Sequence, residues 1–244
     1  MRNLGSGLLL VLAFCGSLPK AAIAQSLHLA PGFTALPKGA KVAVMPVDIE
    51  LFLVTAGGVP EPKADWTETA NQYVRAILKK RNAARGLTSV EVSEQDTEQF
   101  VELNALHGAV SRAIALHHFG GPGSLSRLVS KDDKLDWSLG SAVQGVKSAT
   151  GADYALFTWL RDGTTSAGRA AVMLVFGVLA AGNAAAASAG PRGGGQTGYA
   201  SLVDLNTGRV VWFNRLQRGT GSLLDENQAA ETVDALLTGF PVAK

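Results

Sequence analysis

The feature that most constrains this chain is a run of 22 residues without a charged side chain, residues 170–191, which lies between Arg169 and Arg192. Residues 170–181 are apolar on every side of a helix, and residues 184–187 are all alanine. By length alone the run qualifies as a membrane-spanning helix. Its strongly apolar part covers only about twelve residues, however, and a span would separate strand-forming sequences that look like partners in one sheet.

Alanine, leucine and methionine favour a helix, so residues 170–189 are expected to be mainly helical. Three placements stay open: a helix buried in the core or at a subunit contact, a membrane-contacting element, and an exposed excursion. A soluble protein tolerates only a few hundred Å² of exposed apolar surface. We therefore expect the protein's own sheet, another subunit or lipid to cover the segment. The candidate interface residues are Val172, Met173, Val175, Phe176 and Leu179.

The first 24 residues have the pattern of a secretory signal peptide. Arg2 supplies the positive start, residues 8–14 are apolar, and Ala22 and Ala24 form a small-x-small cleavage signal before Gln25. A lipoprotein signal with an acylated Cys15 is the alternative, but Phe14 stands where a lipobox has a small residue. We predict an exported, periplasmic protein, and the sequence leaves open whether it associates with the outer membrane.

Charge and cysteine content exclude several classes of protein. The 244 residues include 22 basic and 20 acidic side chains. Cleavage after Ala24 removes Arg2 and Lys20 and leaves no net charge, which excludes a protein that coats nucleic acid. Cys15 is the only cysteine, so no disulfide framework and no cysteine-based zinc site can form within one chain.

Hydrophobic periodicity in the remaining chain predicts one α/β domain, residues 41–244, after a flexible leader at residues 25–40. The domain has a mixed sheet covered by helices and ends in a β-hairpin and a helix, with an apolar insertion at residues 165–197. Strands are expected at residues 41–46, 51–54, 88–92, 154–160, 199–205 and 210–216. Helices are expected at residues 65–80, with a capping box starting at Asp65, and at 96–118, 137–150 and 225–240.

No group of residues predicts a catalytic, cofactor or metal site. His107 and His118 fall on one helix face but about three turns apart, too far for a shared metal ion. Lys131 and Lys134 are interleaved with Asp132, Asp133 and Asp136, as in a solvated loop. The sequence therefore favours a protein without enzymatic activity, cofactor or metal. A hydrolase using Asp132 or His118 is the least favoured hypothesis.

Three short motifs resemble the periplasmic domains of curli-secretion channel subunits (CsgG-like proteins). The same motifs resemble the amino-terminal domain of the Tol-system propeller protein TolB and the lipoprotein activators of peptidoglycan synthases. Residues 41–46 (KVAVMP) are similar to the first strand of these domains, and residues 150–157 (TGADYALF) to a later strand. Residues 200–212 (ASLVDLNTGRVVW) are similar to their hairpin. In order and spacing the three motifs cover most of residues 41–240.

The resemblance implies an exported α/β domain that is often oligomeric and has no catalytic residues. In the curli subunits the stretch corresponding to residues 162–197 forms part of a membrane pore. Residues 172–187 depart from that pattern, because pore strands alternate polar and apolar side chains. We thus expect an envelope accessory protein that assembles with itself or with an export, polysaccharide or outer-membrane machine. The alternative is a binding module that regulates an envelope enzyme such as a peptidoglycan synthase.

Overall fold

The computed structural model describes residues 28–92, 98–119, 134–172 and 195–243. They form one α/β domain built on a mixed seven-stranded sheet, as the sequence predicts. The strands are β1 (Lys41–Val44), β2 (Asp48–Val54), β3 (Pro60–Pro62), β4 (Thr88–Glu91), β5 (Tyr154–Thr165), β6 (Gly195–Asp204) and β7 (Val210–Arg218).

Strand β5 is the centre of the sheet. Strands β1 and β2 both pair with the same edge of β5. Strand β1 pairs in parallel with Tyr154–Leu156, and β2 pairs in parallel with Trp159–Thr165. Along the other edge β6 pairs antiparallel, and β7 follows as the second strand of the hairpin. Strand β4 pairs in parallel with β1, and β3 pairs antiparallel with β2. In the sequence, the apolar run lies between β5 and β6.

Helices cover both faces of the sheet. On one face α1 (Ala64–Ala84) and the last helix, α4 (Glu226–Leu236), pack with the strands around the buried Trp212. On the other face α2 (Val101–His118) and the short α3 (Gln144–Thr150) enclose Phe157 and Phe213. Successive side chains of β5 alternate between the two clusters, as the two-residue period of a strand requires.

The first and last helices agree with the sequence in position but differ at their starts. The predicted capping box at Asp65 is wrong: the N-cap is Lys63, which makes no side-chain capping bond, and Asp65 lies inside the first turn. The start of α4 has the side-chain cap that α1 lacks, because Asp225 Oδ1 accepts a hydrogen bond of 2.9 Å from the Gln228 N–H. The apolar residues at helical spacing in and just after α4, Ala229, Val233, Leu236 and Leu237, are all buried, as their spacing predicts.

The apolar residues of α2 that lie three or four positions apart, Leu103, Leu106, Val110 and Ile114, predict one buried stripe, but the helix buries a different one. Leu103 and Ile114 face inward as expected, but Leu106 is exposed. The polar His107 and Ser111 lie in the buried stripe instead. Both polar residues are accommodated because His107 Nε2 lies 2.9 Å from Ser201 Oγ of β6 and 3.0 Å from Ser111 Oγ.

The predicted hairpin is present, and its turn between β6 and β7 lies at residues 205–208. Gly208 adopts a φ of +72°, in the left-handed region that favours glycine. A Cβ at this position would collide with the Gly140 carbonyl oxygen, so the turn also packs closely against the start of a 3₁₀ helix, Gly140–Val143. Gly208 is therefore required both by its backbone angle and by its neighbour.

The described part of the expected flexible leader, from His28 onward, packs against the sheet. Leu29 forms an antiparallel bridge with Trp212 on the outer edge of β7. The Ala30 N–H donates to the Val211 carbonyl at 2.9 Å. Ala30 and Leu36 are buried. This segment covers part of the β7 edge, where unpaired backbone groups would otherwise meet solvent.

Candidate functional site

The apolar run begins as a helix at the end of β5. Residues 167–172 are helical, and Ser166 caps them: its Oγ accepts from the Arg169 N–H at 3.2 Å and its carbonyl from the Ala170 N–H at 2.9 Å. A side-chain oxygen that satisfies free N–H groups is the usual start of a helix. Of the helix predicted for residues 170–189, the described residues 170–172 are helical, and the remainder lies outside the described residues and stays a prediction.

The start of this helix lies against the turn between β2 and β3. A Cβ on Gly58 would lie 2.7 Å from Arg169 Nη1, and one on Gly168 would lie 3.5 Å from the Ala56 Cβ. Val59, on the turn, is 61% exposed, and Val172, on the helix, is 38% exposed. We call the surface formed by Ala56, Val59, Ala170, Ala171 and Val172 the apolar tip; all five residues are exposed.

Two buried polar atoms lie next to the apolar tip. Arg169 Nε and Thr165 Oγ1 are shielded from solvent and have no hydrogen-bond partner in the described part of the chain. A buried donor or hydroxyl without a partner costs about 1–3 kcal/mol.

The candidate interface residues are only partly placed by the structure. Val172 is exposed at the apolar tip. Met173, Val175, Phe176 and Leu179 lie outside the described residues, as do Ala22, Ala24 and Cys15. The proposed roles of those seven residues stay predictions.

A buried polar cluster fixes the base of the insertion. Asp162 of β5 and Gln196 of β6 are direct cross-strand partners. Asp162 Oδ2 accepts from Gln196 Nε2 at 3.1 Å and from the Leu223 N–H at 2.9 Å. Gln196 Oε1 accepts in turn from Thr232 Oγ1 of α4 at 2.8 Å. The cluster therefore joins the two strands that carry the insertion to the carboxyl-terminal helix.

Asp162 carries the carboxyl group of this cluster and is only 3% exposed. Burial raises its pKa above the ordinary value, and the hydrogen bonds from Leu223 and Gln196 oppose that shift. Sequence reasoning missed this cluster because an aspartate near the end of a strand is usually solvated. A sign was the placement of Asp162 and Gln196 just before and just after the uncharged run.

The histidines that the sequence singles out are structural in their described surroundings. His107 stacks on Phe157 at 4.9 Å, and burial lowers its pKa to about 3, so its ring is neutral. His118 Nε2 accepts a hydrogen bond of 3.0 Å from Trp137 Nε1. Among the described residues no group of His, Cys, Asp or Glu could hold a metal ion. Asp136 is exposed, whereas Asp132 and Asp133 lie outside the described ranges.

A concave surface lies at the carboxyl ends of the parallel strands β1 and β4. Met45, Leu78 and Val92 contribute apolar walls to a cavity of about 320 Å³, and Asn71 and Arg75 of α1 border it. Crevices at the carboxyl ends of strands are common ligand sites in open α/β sheets.

No helix in the described part of the chain is long and apolar enough to cross a membrane.

No protein-family model and no curated protein matches the chain. Solved structures do. The PelC dodecamer from Paraburkholderia phytofirmans is 15% identical over 86% of this chain and 93% of that chain, with a TM-score of 0.36. The LpoB carboxyl-terminal domain from Salmonella enterica is 15% identical over 77% and 86%, with a TM-score of 0.29. E. coli LpoB is 14% identical over 89% and 82%, also at 0.29. Likeness at this level carries no argument about function, and the resemblance to curli-channel subunits stays a prediction.

Proposed function

We propose that this chain is an exported, non-enzymatic accessory protein of the cell envelope that assembles through its apolar segment. Its partner is a second copy of the chain or a protein of an export, polysaccharide or outer-membrane machine. The observation that carries the proposal is the exposure of the segment's first residues, Ala170, Ala171 and Val172, at one end of the sheet.

The position of the tip favours contact with another molecule over burial in the protein's own core. The two helical layers of the fold cover the apolar clusters on both faces of the sheet. The helix that starts at residue 167 lies beyond the end of β5, against a turn rather than under a layer. Apolar surface at such a place is typical of an interaction site.

The proposed contact buries the apolar surface at Val59 and Val172, which are 61% and 38% exposed. A lipid surface would also cover apolar side chains of this kind. The test below therefore measures assembly and membrane partition separately.

The test uses aspartate substitutions at matched exposed valines. Val59→Asp and Val172→Asp should weaken assembly, because each places a charge in the proposed contact. Val242→Asp is the control, since Val242 is 50% exposed near the chain end and outside the tip. Assembly is measured by sedimentation velocity, and membrane partition by flotation with vesicles of phosphatidylethanolamine and phosphatidylglycerol. All three variants should keep the unfolding midpoint of the wild type.

The wild-type result decides the proposal first. A chain that is strictly monomeric, captures no envelope protein and does not float with vesicles contradicts it. So does a Val172→Asp variant that assembles and partitions as the wild type does. Val175→Asp and Leu179→Asp extend the same test: a folded but dissociated protein supports a contact surface, and loss of folding indicates burial within the chain.

The second candidate function is a binding module that regulates an envelope enzyme. The cavity at the carboxyl ends of β1 and β4 favours it, because it offers a site that does not involve the apolar segment. Deleting residues 170–191 separates the two proposals. A regulator that docks through the cavity keeps its partner, whereas an assembly formed through the segment is lost.

A further inference from the structure

The outward face of α2 differs from those of the other long helices. Its exposed positions include two large apolar residues, Val101 at 59% and Leu106 at 38%, and two alanines, Ala105 and Ala109. The exposed positions of α1 and α4 are largely charged or polar, as on Glu68, Lys80, Glu226, Glu231 and Asp234. A helix that carries a row of apolar and small side chains toward solvent has a face suited to another helix.

The centre of this face is fixed by a buried residue. His107 points into the domain, where its Nε2 meets Ser201 of β6. The point of α2 opposite His107 therefore faces outward, midway between Ala105 and Ala109, since positions two residues before and after lie on the far side of a helix. Consider a second copy of α2 placed antiparallel against this point, related to the first by a two-fold axis perpendicular to the helices. Each residue of one copy then faces the residue of the other copy that lies equally far on the opposite side of His107.

This axis gives self-complementary pairs. It places Ala105 of one copy against Ala109 of the other, and Glu102 against Arg112. The two charged residues are exposed, and neither forms an ion pair with another described residue; the guanidinium of Arg112 lies 6.0 Å from the ring centre of Trp159. Two opposite charges at matching distances from the centre produce two ion pairs in an antiparallel contact, and small residues between them allow close approach.

We infer that α2 is a contact surface for a second copy of this chain, packed antiparallel on the α2 of its partner. The pairs are Glu102 with Arg112, twice, around a centre of Ala105 and Ala109, with Val101 and Leu106 at the margins. The surface lies on a different element from the apolar tip, so the inference does not rest on the proposed function. A chain with both surfaces can form a pair through one and bind a further partner through the other.

The size of the face predicts a weak, reversible pair. An 18-residue helix is roughly 27 Å long, and alanines at the crossing permit an interaxial distance near the low end of 8–10 Å. One helix from each partner covers less area than the standard interface of about 800 Å² per partner. The pair should therefore respond measurably to the charge at Glu102 and Arg112.

Charge reversal tests the pairing directly. Glu102→Arg and Arg112→Glu should each weaken the pair about tenfold, because each turns two attractive contacts into repulsive ones. An equimolar mixture of the two variants, and the double variant, should regain the wild-type dissociation constant, since opposite charges face each other again. Lys80→Glu on the outward face of α1 is the control and should leave the constant unchanged. Sedimentation equilibrium measures each constant.

Cysteine pairing gives a second readout that does not depend on other contacts of the chain. Ala105→Cys mixed with Ala109→Cys should form the mixed disulfide faster than either variant forms its own, because residue 105 faces residue 109 of the partner. Equal rates for all three pairings overturn the inference, as does a mixture of charge variants that binds no better than the single variants. Both readouts are expected to survive Val172→Asp, so failure at α2 is distinguishable from failure at the apolar tip.

Discussion

Asp162→Ala should destabilise the domain by about 2–5 kcal/mol. The substitution removes the acceptor of two donors, the Leu223 N–H at 2.9 Å and Gln196 Nε2 at 3.1 Å. Leu223 is 0% exposed and Gln196 is 1% exposed, so water does not readily replace the lost carboxylate. Each buried donor left without a partner costs about 1–3 kcal/mol. Removing a poorly solvated carboxyl group offsets part of the sum.

The matched variant is Asp162→Asn, which keeps an oxygen acceptor in the same place and should stay within about 1 kcal/mol of the wild type at neutral pH. Asp65→Ala, an exposed aspartate in the first turn of α1, controls for loss of a carboxylate and should cost no more than about 1 kcal/mol. Urea unfolding at pH 7 gives the three free energies, with equal m-values as the sign of unchanged unfolding behaviour.

The pH dependence adds a second measurement on the same residue. Burial raises the pKa of Asp162 in the folded state above its ordinary value of 3.8. The folded state therefore binds the proton more tightly, and wild-type stability from this group falls as pH rises from 3.8 through the raised pKa. Asp162→Asn lacks this loss, so its stability relative to the wild type should rise over the same interval. The reasoning is refuted if Asp162→Ala lies within 1 kcal/mol of the wild type, or if Asp162→Asn loses as much as Asp162→Ala.

Three further outcomes follow from single residues. Gly208→Ala should prevent stable folding or cost several kcal/mol, since a Cβ meets the Gly140 carbonyl at a φ of +72°. Gly151→Ala should cost only about 1–2 kcal/mol in thermal unfolding, because at its φ of +62° an added Cβ meets no atom of the other described residues within 4 Å. Leu36→Ala should cost about 2–5 kcal/mol in urea, because this leader residue is 1% exposed; an unchanged midpoint would place the leader outside the folded unit. Burial lowers the pKa of His107 in the folded state to about 3, so below pH 6.5 only the unfolded state binds its proton. The free energy of unfolding should therefore fall by roughly 1.4 kcal/mol per pH unit from pH 6.5 toward pH 3. His107→Asn should make this free energy depend less on pH over that range.

The parts of the fold that the sequence predicts correctly depend on local signals. The hairpin follows from two strand-forming runs around a short turn with Gly208, and α4 from inward residues at helical spacing before Gly239 and Pro241. Strand β5 extends to Thr165, five residues beyond the predicted end at Leu160. The extension arises because β2 pairs with β5 as far as Thr165 and β6 pairs with it as far as Gly163. Such partners are not visible in a local pattern.

The buried stripe of α2 shows why the rest could not be predicted. Apolar spacing selected Leu106, because a pattern counts side-chain polarity alone. The fold buries His107 instead, since Ser201 arrives from a strand 94 residues away and meets its ring nitrogen. The same reason hides the Asp162 cluster, whose partners come from β6, α4 and the segment before α4. Polar residues become part of a core only when the tertiary structure supplies their partners.

The edge strands of the sheet affect how copies of this protein behave at high concentration. Strand β3 is three residues long with a proline at each end, and β4 is four residues long. Leu29 occupies part of the outer edge of β7. Short, proline-bearing or covered edges oppose the strand-to-strand growth that leads to amyloid fibrils. Concentrated samples should therefore gain no thioflavin fluorescence and no infrared band of intermolecular sheet. Removing residues 25–36 exposes the outer edge of β7, so the truncated protein should form fibrils through this strand.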